Sequence, residues 1–223
     1  MADFTPHEAP IHEAQGLPVL LPGKPVGRDE QLKTIYAQLR ANKAMLVYGM
    51  PGTGKTALAA TLGSAYAQQP GGVLWFNVNV PKLEELLVRV GRAYKVAQIT
   101  NTEQPLGTIG AVATTLSQNK PLIVLDGKIE AQVANDFVEK CANGLPVLIA
   151  TENEMFGPWM TLVVDRLDAE PAAALFIQQS NLTDSSSDTD VYGIVKVLDH
   201  TPFAVVIGAR GMLASKQTPA QFY

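Results

Sequence analysis

The chain has 223 residues, 47% of them hydrophobic and 17% charged, and a net charge of −4. That length accommodates one sizeable domain, or a domain with a small appendage, and the composition excludes a disordered chain. The mild acidity gives no whole-surface attraction for nucleic acid or an anionic membrane, so no membrane attachment and no direct nucleic-acid binding by this core are expected.

One cysteine, Cys141, excludes an internal disulfide framework and suits a reducing compartment, where it packs as a small apolar residue. No apolar run reaches the roughly 20 residues that a spanning helix needs, and the N-terminus lacks the charged start and apolar core of a signal segment. A cytoplasmic protein is expected.

Residues 1–25 hold five of the fifteen prolines and show neither helical nor strand periodicity, which predicts an extended N-terminal arm. From Asp29 to Leu39, apolar positions recur at three and four, predicting a helix with one buried face. "AMLVY" (44–48) is a short buried strand that runs into a glycine-rich loop, and a helix is expected from Lys55 to Gln68. A second strand is expected over 72–78, then helices over 83–96 and 107–117.

"PLIVLDG" (121–127) and "LPVLIAT" (145–151) are continuous apolar runs, as parallel strands buried on both faces require, and "TLVVDRL" (161–167) reads as a fifth strand. An Asp-capped helix over 168–180, a polar loop over 181–190 and helices over 191–199 and 202–214 follow. This alternation predicts an α/β fold: a five-stranded parallel sheet with helices on both faces, plus a small C-terminal helical subdomain. The expected division is an arm over 1–25, a sheet domain over 26–166 that holds the glycine-rich loop, and a helical subdomain over 167–223, the start of a longer C-terminal region.

Gly49 to Thr56, G-M-P-G-T-G-K-T, fits G-x-x-x-x-G-K-[ST] between a strand and a helix, the context that confirms a phosphate loop. Its glycines let successive N–H groups converge on phosphate oxygens while the helix N-terminus adds partial positive charge. The expected phosphate contacts are Gly49, Pro51, Gly52, Thr53, Gly54, Lys55, Thr56 and Ala57. Lys55 is expected to reach the β- and γ-phosphates, and the Thr56 hydroxyl to meet Mg2+ with Asp126, the acid that ends the buried run "LIVLD". Lys55 and Asp126 are therefore the expected catalytic residues.

After Asp126 comes Gly127 rather than a second acid to orient water, leaving Glu130, Glu152 and Asn153 as alternatives. His7, His12 and His200 make no metal-ligand spacing with Cys141, and no serine sits in a G-x-S-x-G turn.

Three further stretches, "PVGRDEQL" (25–32), "VVDRLDAEPAAALF" (163–176) and "HTPFAVVIGAR" (200–210), join "GMPGTGKTALA", "LIVLDG" and "LPVLIATEN" in an order that resembles the NB-ARC group of STAND signal-transduction ATPases. The resemblance covers residues 25–215. It implies that Val26, Gly27 and Arg28 lie along an adenine base and that Pro202 packs against its other side. It implies ATP or ADP with Mg2+, a closed ADP form, an ATP form that self-associates, slow resetting hydrolysis, and sensor and effector domains in the intact chain. Two departures from that pattern, Gly127 and Glu152 where an Arg is common, put catalytic competence in question. The rival expectations are a hydrolysis-deficient module that keeps ADP as a structural cofactor, and an AAA+-like motor.

Overall fold

The computed structural model describes residues 25–182 and 188–223. The arm expected over 1–25, with His7 and His12, lies outside the described residues except for Pro25.

Helix α1 (Asp29–Arg40) leads into the first strand, β1 (Ala44–Tyr48), and the loop after it opens α2 (Lys55–Tyr66). Strand β2 (Val73–Asn79) is followed by α3 (Leu83–Ala93), the single turn α4 (Ala97–Thr100) and α5 (Ile109–Asn119), which a 3-10 turn over Pro105–Thr108 introduces. Next come β3 (Leu122–Lys128), α6 (Ala131–Lys140), β4 (Val147–Thr151) and β5 (Trp159–Val163). The chain then turns wholly helical through α7 (Ala169–Ser180), α8 (Asp188–Val197), α9 (Pro202–Ser215) and the short α10 (Pro219–Phe222).

All strand pairs are parallel, and the order across the sheet is β2-β3-β4-β1-β5. Because strand side chains alternate between faces, β1 sends Leu46 into one core and Met45 and Val47 into another. The first core joins Leu46, Phe76, Leu125 and Ile149 to α3, α5 and α6, and the second joins Val47, Trp75, Val124 and Leu148 to α1 and α2. Covering both faces is what allows the inner strands to be apolar throughout.

A third core belongs to the helices alone: Leu167, Ala172, Phe176, Val191, Val195, Val205 and Met212. Val164 packs with the sheet and Leu167 with the helices, so the chain passes from one core to the next within a few residues.

The fifth strand is displaced from the expected 161–167: pairing with β1 runs from Trp159 to Val163. Its beginning is anchored by the Trp159 indole, which donates to the Met155 carbonyl at 3.0 Å. Its end is set where the Val164 amide donates to the Tyr48 carbonyl and the chain leaves the sheet. Asp168 does take the N-cap position of α7, but its side chain makes no capping hydrogen bond.

Candidate functional site

In an open parallel sheet, ligands gather beyond the carboxyl ends of the strands, and here those ends bring together the β1–α2 loop, Asp126 of β3 and the segment after β4. The loop curls because Thr53 folds back: its hydroxyl donates to the Met50 carbonyl at 2.9 Å and its amide to the same oxygen. In α2 the first intrahelical bond runs from the Leu58 amide to the Gly54 carbonyl. The amides of Lys55, Thr56 and Ala57 therefore have no intrahelical acceptor, and the helix presents its positive end to the loop.

The Lys55 ammonium bends over the loop and donates to the carbonyls of Gly49 and Met50, each at 2.8 Å. Burial pulls its pKa down, opposed by the carboxylates of Glu152 and Asp126. The Thr56 hydroxyl donates to Asp126 Oδ1 at 3.0 Å, the hydrogen bond that joins α2 to β3. Burial pushes the Asp126 carboxyl up, while the Thr56 hydrogen bond and Lys55 hold it down. A hydroxyl and a carboxylate side by side are hard oxygen donors, the set that suits hydrated Mg2+. Residues and metal therefore fit.

Gly127 has φ +128, and a Cβ there would stand 2.1 Å from the Val78 carbonyl oxygen of β2. Close approach of the two strands leaves no space for a second acid after Asp126. Glu130 is exposed at the N-cap position of α6 without a capping bond. Glu152 is exposed immediately after β4 and lies 3.9 Å from the Lys128 ammonium, and Asn153 is exposed beside it.

Arg28 is buried, at 6% exposure. Its guanidinium donates to the Thr53 carbonyl of the loop at 3.0 Å, to the Asp165 carbonyl beyond β5, and to Gln31 Oε1 at 3.2 Å. Burial lowers its pKa and Asp165 and Asp168 oppose that shift. Asp168 thus acts electrostatically on Arg28 rather than as a helix cap. Beside it, Gly27 has φ +67 and lies so close to α7 that a Cβ would come within 2.6 Å of Pro171 Cβ. Val26 is half-buried at the start of this segment.

Pro202 is the first residue of α9, where a missing N–H costs nothing. The next amide, of Phe203, donates to the Gly52 carbonyl in the loop at 3.1 Å. Before Pro202, Asp199 and His200 both adopt left-handed conformations, φ 55 and 51. That turn is held by the Leu167 amide, which donates to the His200 carbonyl, and by an exposed Arg166–Asp199 pair at 2.7 Å. Hydrogen bonds thus link Arg28, the loop, Asp126 and the start of α9. Lys128 and Phe203 escaped sequence reasoning, although the two-residue step from Asp126 to Lys128 was a readable signal.

Sheet order, loop and Asp126 define a P-loop NTPase. The AAA ATPase domain family matches residues 24–206, and the chain belongs to that family, a nucleotide-binding ATPase module. No curated protein matches the sequence. Among solved structures it is similar to Cdc6p of Pyrobaculum aerophilum, with TM-score 0.66 and 14% identity, covering 90% of this chain and 65% of that one. A Walker-type ATPase of Pyrococcus abyssi matches with TM-score 0.60 and 12% identity, over 91% of this chain and 73% of that one. A STAND protein with a tetratricopeptide repeat sensor from Pyrococcus horikoshii matches with TM-score 0.59 and 18% identity, over 79% of this chain but only 28% of that protein. At such identities the likeness is one of fold. No helix among the described residues is long and apolar enough to cross a membrane.

Proposed function

We propose that the chain is the nucleotide switch of a STAND signalling ATPase of the NB-ARC kind, closed around ADP and opening to self-associate with ATP. The observation that carries this is the hydrogen bond from the Phe203 amide to the Gly52 carbonyl. It ties the helical part, residues 167–223, to the loop that would hold phosphate in the sheet domain, residues 26–166. Any change in the loop's occupancy is then felt by α9. Lys55, displaced from the Gly49 and Met50 carbonyls, would pair with the β- and γ-phosphates. The amides of the 49–57 stretch would cradle them, and Val26–Arg28 and Pro202 would flank the adenine. Thr56 and Asp126 would hold Mg2+, which when bound neutralises phosphate charge.

Slow hydrolysis would reset the switch, and sensor and effector domains of the intact protein would bias it. Gly127 favours a second reading, a module that retains ADP without cleaving ATP, because the position after Asp126 cannot carry an acid. Equilibrium binding and single-turnover hydrolysis, with Lys55→Ala as the blank and the copurified nucleotide identified after denaturation, separate the two. The switch predicts ADP and ATP binding that Lys55→Ala abolishes, with cleavage slower than about one per second, the low end of common enzyme turnover. Turnover of many per second contradicts it, and retained ADP with no cleavage at all supports the second reading.

A further inference from the structure

Given that reading of the site as an ATP site, the acid missing after Asp126 leaves the water-orienting role to another side chain at the carboxyl ends of the strands. In the parallel register Asp126 stands beside Ala150. Side chains two apart along a strand share a face, so Lys128 lies on the Asp126 face. Val124 and Ala150 place that face on the α2 side of the sheet, where the phosphate loop is. Glu152, two residues past Ala150, emerges just beyond the end of β4, and its carboxylate lies 3.9 Å from the Lys128 ammonium.

Asp126 is occupied by the Thr56 hydroxyl. Glu152 is exposed, and its 3.9 Å separation from the Lys128 ammonium leaves its oxygens open to water. At the position after Asp126, by contrast, the Val78 carbonyl excludes any side chain.

We propose that Glu152 is the water-orienting catalytic residue for ATP cleavage, with Lys128 as the positioning residue that holds its carboxylate toward the phosphate loop. In that step the water oxygen bonds to the γ-phosphorus as the bond to the β,γ-bridging oxygen breaks. The electron pair leaves with ADP, and Glu152 accepts the proton that water loses before returning it to solvent.

The test is single-turnover ATP cleavage and equilibrium ATP binding, in parallel, by the 223-residue chain and by Glu152→Gln, Lys128→Ala, Lys128→Arg and Glu130→Gln. Glu152→Gln is expected to slow cleavage by at least about 100-fold, the usual contribution of a positioned base, while ATP affinity stays within about threefold. Lys128→Ala slows cleavage less, and Lys128→Arg recovers it. Glu130→Gln leaves it unchanged. Cleavage that survives Glu152→Gln, falls with Glu130→Gln, or is absent from the parent chain while ATP still binds overturns the assignment of Glu152 alone. Failure of the parent chain to bind ATP overturns the nucleotide reading beneath it.

Discussion

Asp126 and Gly127 are neighbours with opposite constraints: one must keep its side chain beside Thr56, the other must have none. At Gly127 both the φ of +128 and the 2.1 Å approach to the Val78 carbonyl oppose a Cβ. Gly127→Ala is therefore expected to destabilise the fold by about 2–4 kcal/mol, from backbone strain and displaced β2, read as a lower urea midpoint. Cys141 is constrained differently, since desolvation pushes its thiol up to about 11. The nucleophile is the thiolate, so iodoacetamide at pH 8 should alkylate Cys141 at least about 100-fold slower than a free thiol. The rate should rise with pH toward 11 and jump on unfolding in urea. The phosphate loop and Asp126 were legible in the sequence because each is a local pattern. Glu130, Glu152 and Asn153 stayed open, because choosing among them takes the register of β3 against β4 and the clash at Val78, and neither leaves a local trace.

At the scale of elements, the short apolar strands and their helices were readable wherever burial is continuous, as in β1, whose expected bounds of 44–48 coincide with Ala44–Tyr48. The edge strand β5 was displaced because only one neighbour pairs with it and its residues are half-exposed, so no uninterrupted apolar run marks it. Trp159 begins the strand directly after Gly157 and Pro158. Arg28 shows a subtler limit: its sequence neighbours place it before α1, whereas its hydrogen bonds run to the phosphate loop and to the exit of β5. Arg28→Ala leaves the Thr53 and Asp165 carbonyls without their donor and should cost about 2–4 kcal/mol, two charged hydrogen bonds in a buried place. Arg28→Lys should recover little of it, since a point ammonium lacks the guanidinium fork. Chemical denaturation of both variants, alongside ADP affinity, measures this, and stability equal to the parent contradicts the tie.

At the largest scale, the described residues form two sheet cores and one helical core, joined by a short passage from Val164 to Leu167 and by contacts at Gly27 and Gly52. The helices keep their own apolar centre, with Phe176, Val195 and Val205 fully buried. Gly27→Val would drive a side chain into Pro171 and is expected to raise amide hydrogen exchange in α7 and α9 while leaving β1 and β3 protected. Uniform loss of protection would instead mean that the parts are inseparable.

If nucleotide identity sets the closure of the helical part on the phosphate loop, an interdomain distance reads it out. Spin labels at Lys82→Cys and Lys216→Cys, both exposed positions, in a Cys141→Ala background report the separation of the two parts by pulsed dipolar spectroscopy. With saturating ADP and Mg2+ one narrow distance matching the closed arrangement is expected, and with a non-cleavable ATP analogue a second, longer population. Identical distance distributions with both nucleotides bound would contradict it.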